Sequence, residues 1–104
     1  MPLNEFNASR GMVTDRSGTI TGSNVSQLVA MPFAFRAFLF VQNPSSASES
    51  LFVNFTNPAS TNGNNCFELL PGSSLQMMVN SFITTEAVFV AAATIGHPFI
   101  YKEA

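Results

Sequence analysis

From Phe33 to Thr56 the chain runs through two apolar segments, FAFRAFLFVQ and LFVNFT, separated by the polar stretch NPSSASES. That stretch holds one proline and four serines, which cannot continue a strand comfortably. The flanks are rich in Phe, Leu and Val, which suit a pleated, half-buried surface. The pattern predicts a central β-hairpin. Its first strand, Phe35 to Gln42, places Phe35, Ala37, Leu39 and Val41 on one face and Arg36, Phe38, Phe40 and Gln42 on the other. Both faces are apolar in the middle, so a cover is expected on each side: a loop, an arm or another subunit. The second strand, Leu51 to Thr56, alternates more cleanly, with Leu51, Val53 and Phe55 inward.

The same period recurs along the chain. Gly18 to Gly22 is a short strand bounded by glycines. Asn24 to Met31 fits one capped helical turn or a strand ending before Pro32, and the strand Gln27 to Met31 is preferred. Residues 57–65, NPASTNGNN, are a loop dense in turn formers. Cys66 to Leu70 and Ser74 to Val79 are predicted to form a second hairpin across Pro71-Gly72. Phe67, Leu69, Leu75, Met77 and Val79 would face inward; Glu68, Gln76 and Asn80 would face solvent. The alanines of SFITTEAVFVAAA favour a helix, but Val88, Phe89 and Val90 lead them and Gly96-His97-Pro98 closes them, so a strand is expected over Ala87 to Thr94. A last strand covers Phe99 to Lys102. About seven or eight short strands with Gly, Pro and Asn turns predict an all-β antiparallel sandwich, jelly-roll or Ig-like.

Residues 1–17 show no period of 2 or 3.6 and separate as an extended N-terminal arm from a sandwich domain at 18–104. The arm is either a frayed tail or a segment that docks on a neighbouring subunit. In the second case Phe6, Met12 and Val13 are its apolar anchors and Arg10 and Arg16 its charges.

Composition sharpens the picture at one point. Only 10% of the 104 residues are charged, against about a quarter in ordinary soluble domains. A surface of Ser, Thr and Asn has little electrostatic protection against association, so cover by a larger assembly is expected. The net charge of −2 with four basic residues leaves no nucleic-acid footprint. No stretch reads as a membrane span or secretory signal, and synthesis in a cytoplasm is expected. One cysteine, Cys66, allows no internal disulfide, and one histidine, His97, gives no metal-ligand cluster. The six acids are spread through turns, ends and solvent faces, without the convergence that acid–base catalysis needs. No enzyme activity, metal or cofactor is expected. Arg36 is the one charge inside a strongly apolar strand. It is either a snorkelling surface group or one half of a structural ion pair, with Glu68 and Glu86 as candidate partners.

Taken in order, Arg36 with FLFVQNPSS, LFVNF, ELLPGSSL, SFITTEAVFVAAAT, Gly96 and the closing KEA resemble small virion proteins of tailed bacteriophages. There R-x-x-L-x-x-Q-N-P, L-x-V-N-F, a P-G turn and a closing K-E follow in this order. The resemblance covers roughly residues 33–104 and points to capsid decoration, or cement, proteins. It implies a structural protein on the exterior of an icosahedral capsid, bound to the major capsid protein and to itself as a dimer or trimer. Neither nucleic acid nor membrane is implied as a partner. Phe38 and Phe40 join Phe6, Arg10, Met12, Val13 and Arg16 as candidate contacts. The alternative is a head-fibre or tail-associated sandwich that binds host-surface carbohydrate.

Overall fold

The computed structural model describes residues 12–104. Nine strands cover them: β1 (Thr14–Asp15), β2 (Gly18–Thr19), β3 (Gln27–Ala30), β4 (Phe38–Gln42), β5 (Leu51–Phe55), β6 (Phe67–Leu69), β7 (Ser74–Met78), β8 (Val88–Ala91) and β9 (Pro98–Glu103). They form two antiparallel sheets. One has the order β1-β9-β4-β7, with β2 also paired to β9; the other has the order β3-β8-β5-β6. β1 and β2 follow one register along β9, Asp15 opposite Lys102 and Gly18 opposite Phe99. They are a single edge strand interrupted at Ser17, whose hydroxyl accepts the Tyr101 N–H at 3.0 Å. Counted so, eight strands make two four-stranded layers, and every connection from β2 onward changes layer except β5 to β6. That is the jelly-roll arrangement of the sandwich class, and it decides between the two topologies that the sequence left open.

The expected hairpins are corrected by this topology. β4 and β5 lie in different sheets, as do β6 and β7. The polar stretch after Asn43 and the Pro71-Gly72 turn therefore carry the chain across the sandwich rather than back along one layer. The turn chemistry itself is as expected: Ser73 N–H donates to Leu70 C=O at 2.8 Å, and Gly72 has φ +87°, the left-handed value a type II turn needs. The hairpin that does form is β5–β6, with Leu51 opposite Leu69 and Val53 opposite Phe67.

The core lies between the layers. Leu39 and Val41 of β4, Leu51 and Val53 of β5, Val88 and Val90 of β8 and Tyr101 of β9 are fully buried, joined by Ile20, Ala30, Leu69, Ala92 and Phe99. Each strand contributes alternate residues, as a period of two requires. On β5 the expected inward residues hold, with Leu51 and Val53 fully buried and Phe55 packed against the core, and on β4 the buried face carries Leu39 and Val41. Phe35 is not among them. Arg36 N–H donates to Phe33 C=O at 3.1 Å, so Phe33 to Ala37 is a turn and β4 begins three residues later than predicted. Phe35 projects into solvent, 88% exposed. Val79, also expected inward, lies past the end of β7 and is exposed. The segment read as an arm ends differently too: Thr14 to Ser17 belong to the sheet edge, while residues 1–11 lie outside the described residues.

Core and rim should separate cleanly by mutation. Leu39→Ala should lower the unfolding free energy by about 2–5 kcal/mol, and Phe35→Ser should change it by less than about 0.5 kcal/mol, both read from urea denaturation.

Candidate functional site: two buried polar hubs and the sheet face between them

β4 is five residues long, and a buried polar side chain stands just outside each end of it. At its start is Arg36, 2% exposed. The turn at Phe33–Ala37 aims its guanidinium into the sandwich. There Nε donates to Glu103 Oε1 at 2.9 Å. Nη1 donates to the carbonyls of Thr84 and Glu86, each at 2.9 Å, and Nη2 to that of Met31 at 3.1 Å. The Phe33 ring lies 5.8 Å from the guanidinium carbon, within cation–π range. One planar fork thus ties β9 of one sheet to the segments that follow β3 and precede β8 of the other. A lysine could not replace that geometry.

Glu103 completes this hub. It is 3% exposed and accepts from Arg36, from Tyr101 Oη at 2.8 Å and from Arg16 Nε at 2.9 Å. Burial alone would raise its pKa, but the bond from Arg16, the Tyr101 hydroxyl and the Arg36 charge outweigh it and hold the carboxyl below its ordinary 4.5. Tyr101 moves the other way: burial, then the bond to Glu103, push its pKa well up. The expected ion pair of Arg36 is therefore real, but its partner is Glu103. Glu86 takes part only through its backbone carbonyl, and Glu68 instead accepts from Ser50 Oγ at 2.6 Å.

At the far end of β4 stands Asn43, fully buried. Its Nδ2 donates to the carbonyls of Glu49 at 2.9 Å and Leu69 at 2.8 Å. Its Oδ1 therefore faces His97 Nε2, 2.8 Å away, and that nitrogen carries the proton. His97 Nδ1 lies 3.3 Å from Glu49 Oε2; a second proton on the ring turns this contact into an ion pair. Glu49 also accepts from the Thr94 N–H and hydroxyl, each at 2.9 Å. Burial works to raise its pKa, yet the two Thr94 bonds hold it lowered. Beside this hub is an open cleft of about 230 Å³, lined by Ser46, Ser48, Glu49, Thr94 and His97 among others. His97 thus has Asn43 and Glu49 as partners, while Cys66 Sγ accepts from Ser60 N–H and donates to Asn64 C=O, each at 3.2 Å. Neither is aligned with the other as nucleophile and base. Among the described residues no cluster of three metal-ligating groups occurs.

Between the hubs, β4 turns Phe38 and Phe40 to the outer face of its sheet, where both are half-buried. Phe38 stands opposite Met78, and Phe40 between Gln76 and Lys102. Ile100, opposite Gln42, continues the row. Lys102 is drawn to the edge by Asp15 at 3.0 Å. Asp15 is held at about 2 by the Ser17 hydroxyl, the Ser17 N–H and then Lys102. Of the other candidate contacts, Met12 and Val13 are exposed. Arg16 points to Glu103, away from the Phe38–Phe40 face, and Phe6 and Arg10 lie outside the described residues. No protein-family model, curated protein or solved structure matches the chain.

The first hub predicts an acid-sensitive fold. A carboxyl whose native pKa is lowered contributes stability above its unfolded value and loses it as pH falls toward the native one. Melting temperature should therefore drop below about pH 5, and Glu103→Gln should be less stable at pH 7 with a flatter acid limb. Glu103→Ala should cost about 3–5 kcal/mol at pH 7 by urea denaturation, because it strands a buried guanidinium. Lys102→Ala, at the exposed pair, should leave the midpoint in place.

Proposed function

We propose that the chain is a structural virion protein of a tailed phage. It decorates the capsid exterior and stabilises it by bridging neighbouring major capsid subunits, with no catalytic step. The observation that carries this reading is the outer face of the sheet that holds β4, where Phe38 and Phe40 of β4, Met78 of β7 and Ile100 of β9 lie on three neighbouring strands, with β4 anchored at both ends. Phe35, Val79 and Phe82 add exposed apolar area. A lone domain gains nothing from such a face, whereas each Phe fully buried against a shell would contribute about 1.5–3 kcal/mol. The low charge of the chain fits a surface that spends its life covered.

The mechanism is linkage. A protein that binds the closed lattice better than the expanded or broken one shifts the shell toward the closed state by mass action. Contacts to several subunits at once multiply the effect through effective concentration. A second reading, a domain that binds host-surface carbohydrate, rests on the Glu49–Thr94–His97 cleft. That cleft has hydroxyl and acid groups of the kind sugars use, from Ser46, Ser48, Thr94 and Glu49, but no Phe, Tyr or Trp platform among its lining residues.

Phe38→Glu with Phe40→Glu should abolish co-sedimentation with purified shells while the circular dichroism spectrum stays that of the wild type. Shells lacking the chain should break at lower temperature than decorated ones. Full occupancy by the double variant would remove this face from the contact. Equal shell survival together with glycan-array binding lost in Glu49→Ala would favour the second reading.

A further inference from the structure

β7 closes one side of its sheet, and among the described residues nothing pairs with its outer edge. The ladder to β4 shows which groups that edge presents. Asn43 N–H donates to Ser73 C=O at 3.0 Å and Val79 N–H to Ala37 C=O at 3.1 Å. In the antiparallel register, 43 opposite 73 and 37 opposite 79 are hydrogen-bonded pairs, so 41 opposite 75 and 39 opposite 77 are too. Residues 73, 75, 77 and 79 turn their backbone polar groups to β4. Ser74, Gln76 and Met78 turn theirs outward, where the Met78 carbonyl is taken by Ser81 N–H at 3.1 Å.

Such an edge is a template for another strand unless a charge, a proline, a bulge or short length blunts it. None does so here. β7 pairs with β4 over five residues without a register shift, and no charged residue occurs from Leu69 to Thr85. Leu75 and Met77, on the core side of the strand, are only half-buried, so the sandwich is also open along this rim.

We infer that β7 pairs antiparallel with β7 of a second copy about a two-fold axis through Gln76. This assignment goes beyond the capsid reading and holds without it. The occupant is a second copy because the edge is complementary to itself. With Gln76 opposite Gln76, the two residues exchange both N–H···O=C bonds, and each Met78 N–H meets the other copy's Ser74 C=O. The four bonds use four of the five free outward groups of each edge and leave only the Ser74 N–H. Leu75 faces the partner's Met77 and extends the core row. A two-fold contact sets every residue near its own counterpart, so a charge on this strand would oppose itself; there is none. The Leu70 end of one copy meets the Phe82 end of the other, and both residues are exposed, which adds apolar area beyond the strand.

Sedimentation velocity on the full chain tests this directly. The wild type should sediment as a dimer. Gln76→Lys and Gln76→Glu, on an exposed position that leaves the β4 ladder intact, should each weaken the dimer at least tenfold by opposing like charges. An equimolar mixture of the two should restore it. Gln76→Pro, which removes an outward N–H that β4 does not use, should also give monomer with the circular dichroism spectrum of the wild type. A wild type that stays monomeric, or a dimer indifferent to Gln76→Lys, overturns the assignment. Shell binding by a monomeric Gln76→Lys would leave the capsid reading standing, so the two fail separately.

Discussion

The constraint on which this fold depends is the suspension of β4 between Arg36 and Asn43. A jelly roll changes layer at almost every connection, so few of its strands are held by a neighbour in sequence. Here each change of layer near β4 is clamped by one buried side chain that donates to carbonyls of the other layer. Such donors are strong because the surroundings are dry, and costly to strand for the same reason. Arg36 meets the cost of burial with four hydrogen bonds, one of them to a carboxylate. Asn43 meets it with two carbonyls and an imidazole. The apolar core supplies the driving force for collapse, and the hubs fasten the two layers to each other at both ends of β4.

The hubs also explain how a mostly apolar strand can face outward without distortion. Leu39 and Val41 fill the core while Phe38 and Phe40 remain outside. A side chain presented on a sheet loses little freedom on binding, which favours contact with a lattice. The chain's few charges reinforce this division. Arg16, Arg36 and Glu103 are consumed by one hub and Glu49 by the other, and Asp15 and Lys102 neutralise each other at the edge. Most of what faces outward is uncharged, which suits association with a shell and with a second copy alike.

The two-residue period made the strands and most of the core legible from sequence alone. Leu51, Val53 and Leu69 are buried as the alternation of β5 and β6 requires, because strands of this kind bury alternate residues. Pairing was not legible. NPSSASES and Pro71-Gly72 carry the composition of hairpin turns, but the same residues serve when a chain steps between layers, and composition does not distinguish the two. The partner of Arg36 was missed for a related reason. Carrying the alternation of Phe99 and Tyr101 one step further puts Glu103 on the core face, and that signal was present in the closing K-E; Arg36 itself escaped the alternation because the turn at Phe33 resets it. The second hub was hidden, since Asn43, Glu49 and His97 each pass as a turn or surface residue until the fold brings them together.

The central claim is that a strand pinned at both ends offers its outer face to a lattice. Cryo-electron microscopy of capsids with and without the chain tests it most directly. The account predicts density for the chain over the junctions between neighbouring shell subunits, with Phe38 and Phe40 of β4 turned toward the shell. Density confined to a single vertex or the tail, or a chain bound with that face to solvent, would contradict it.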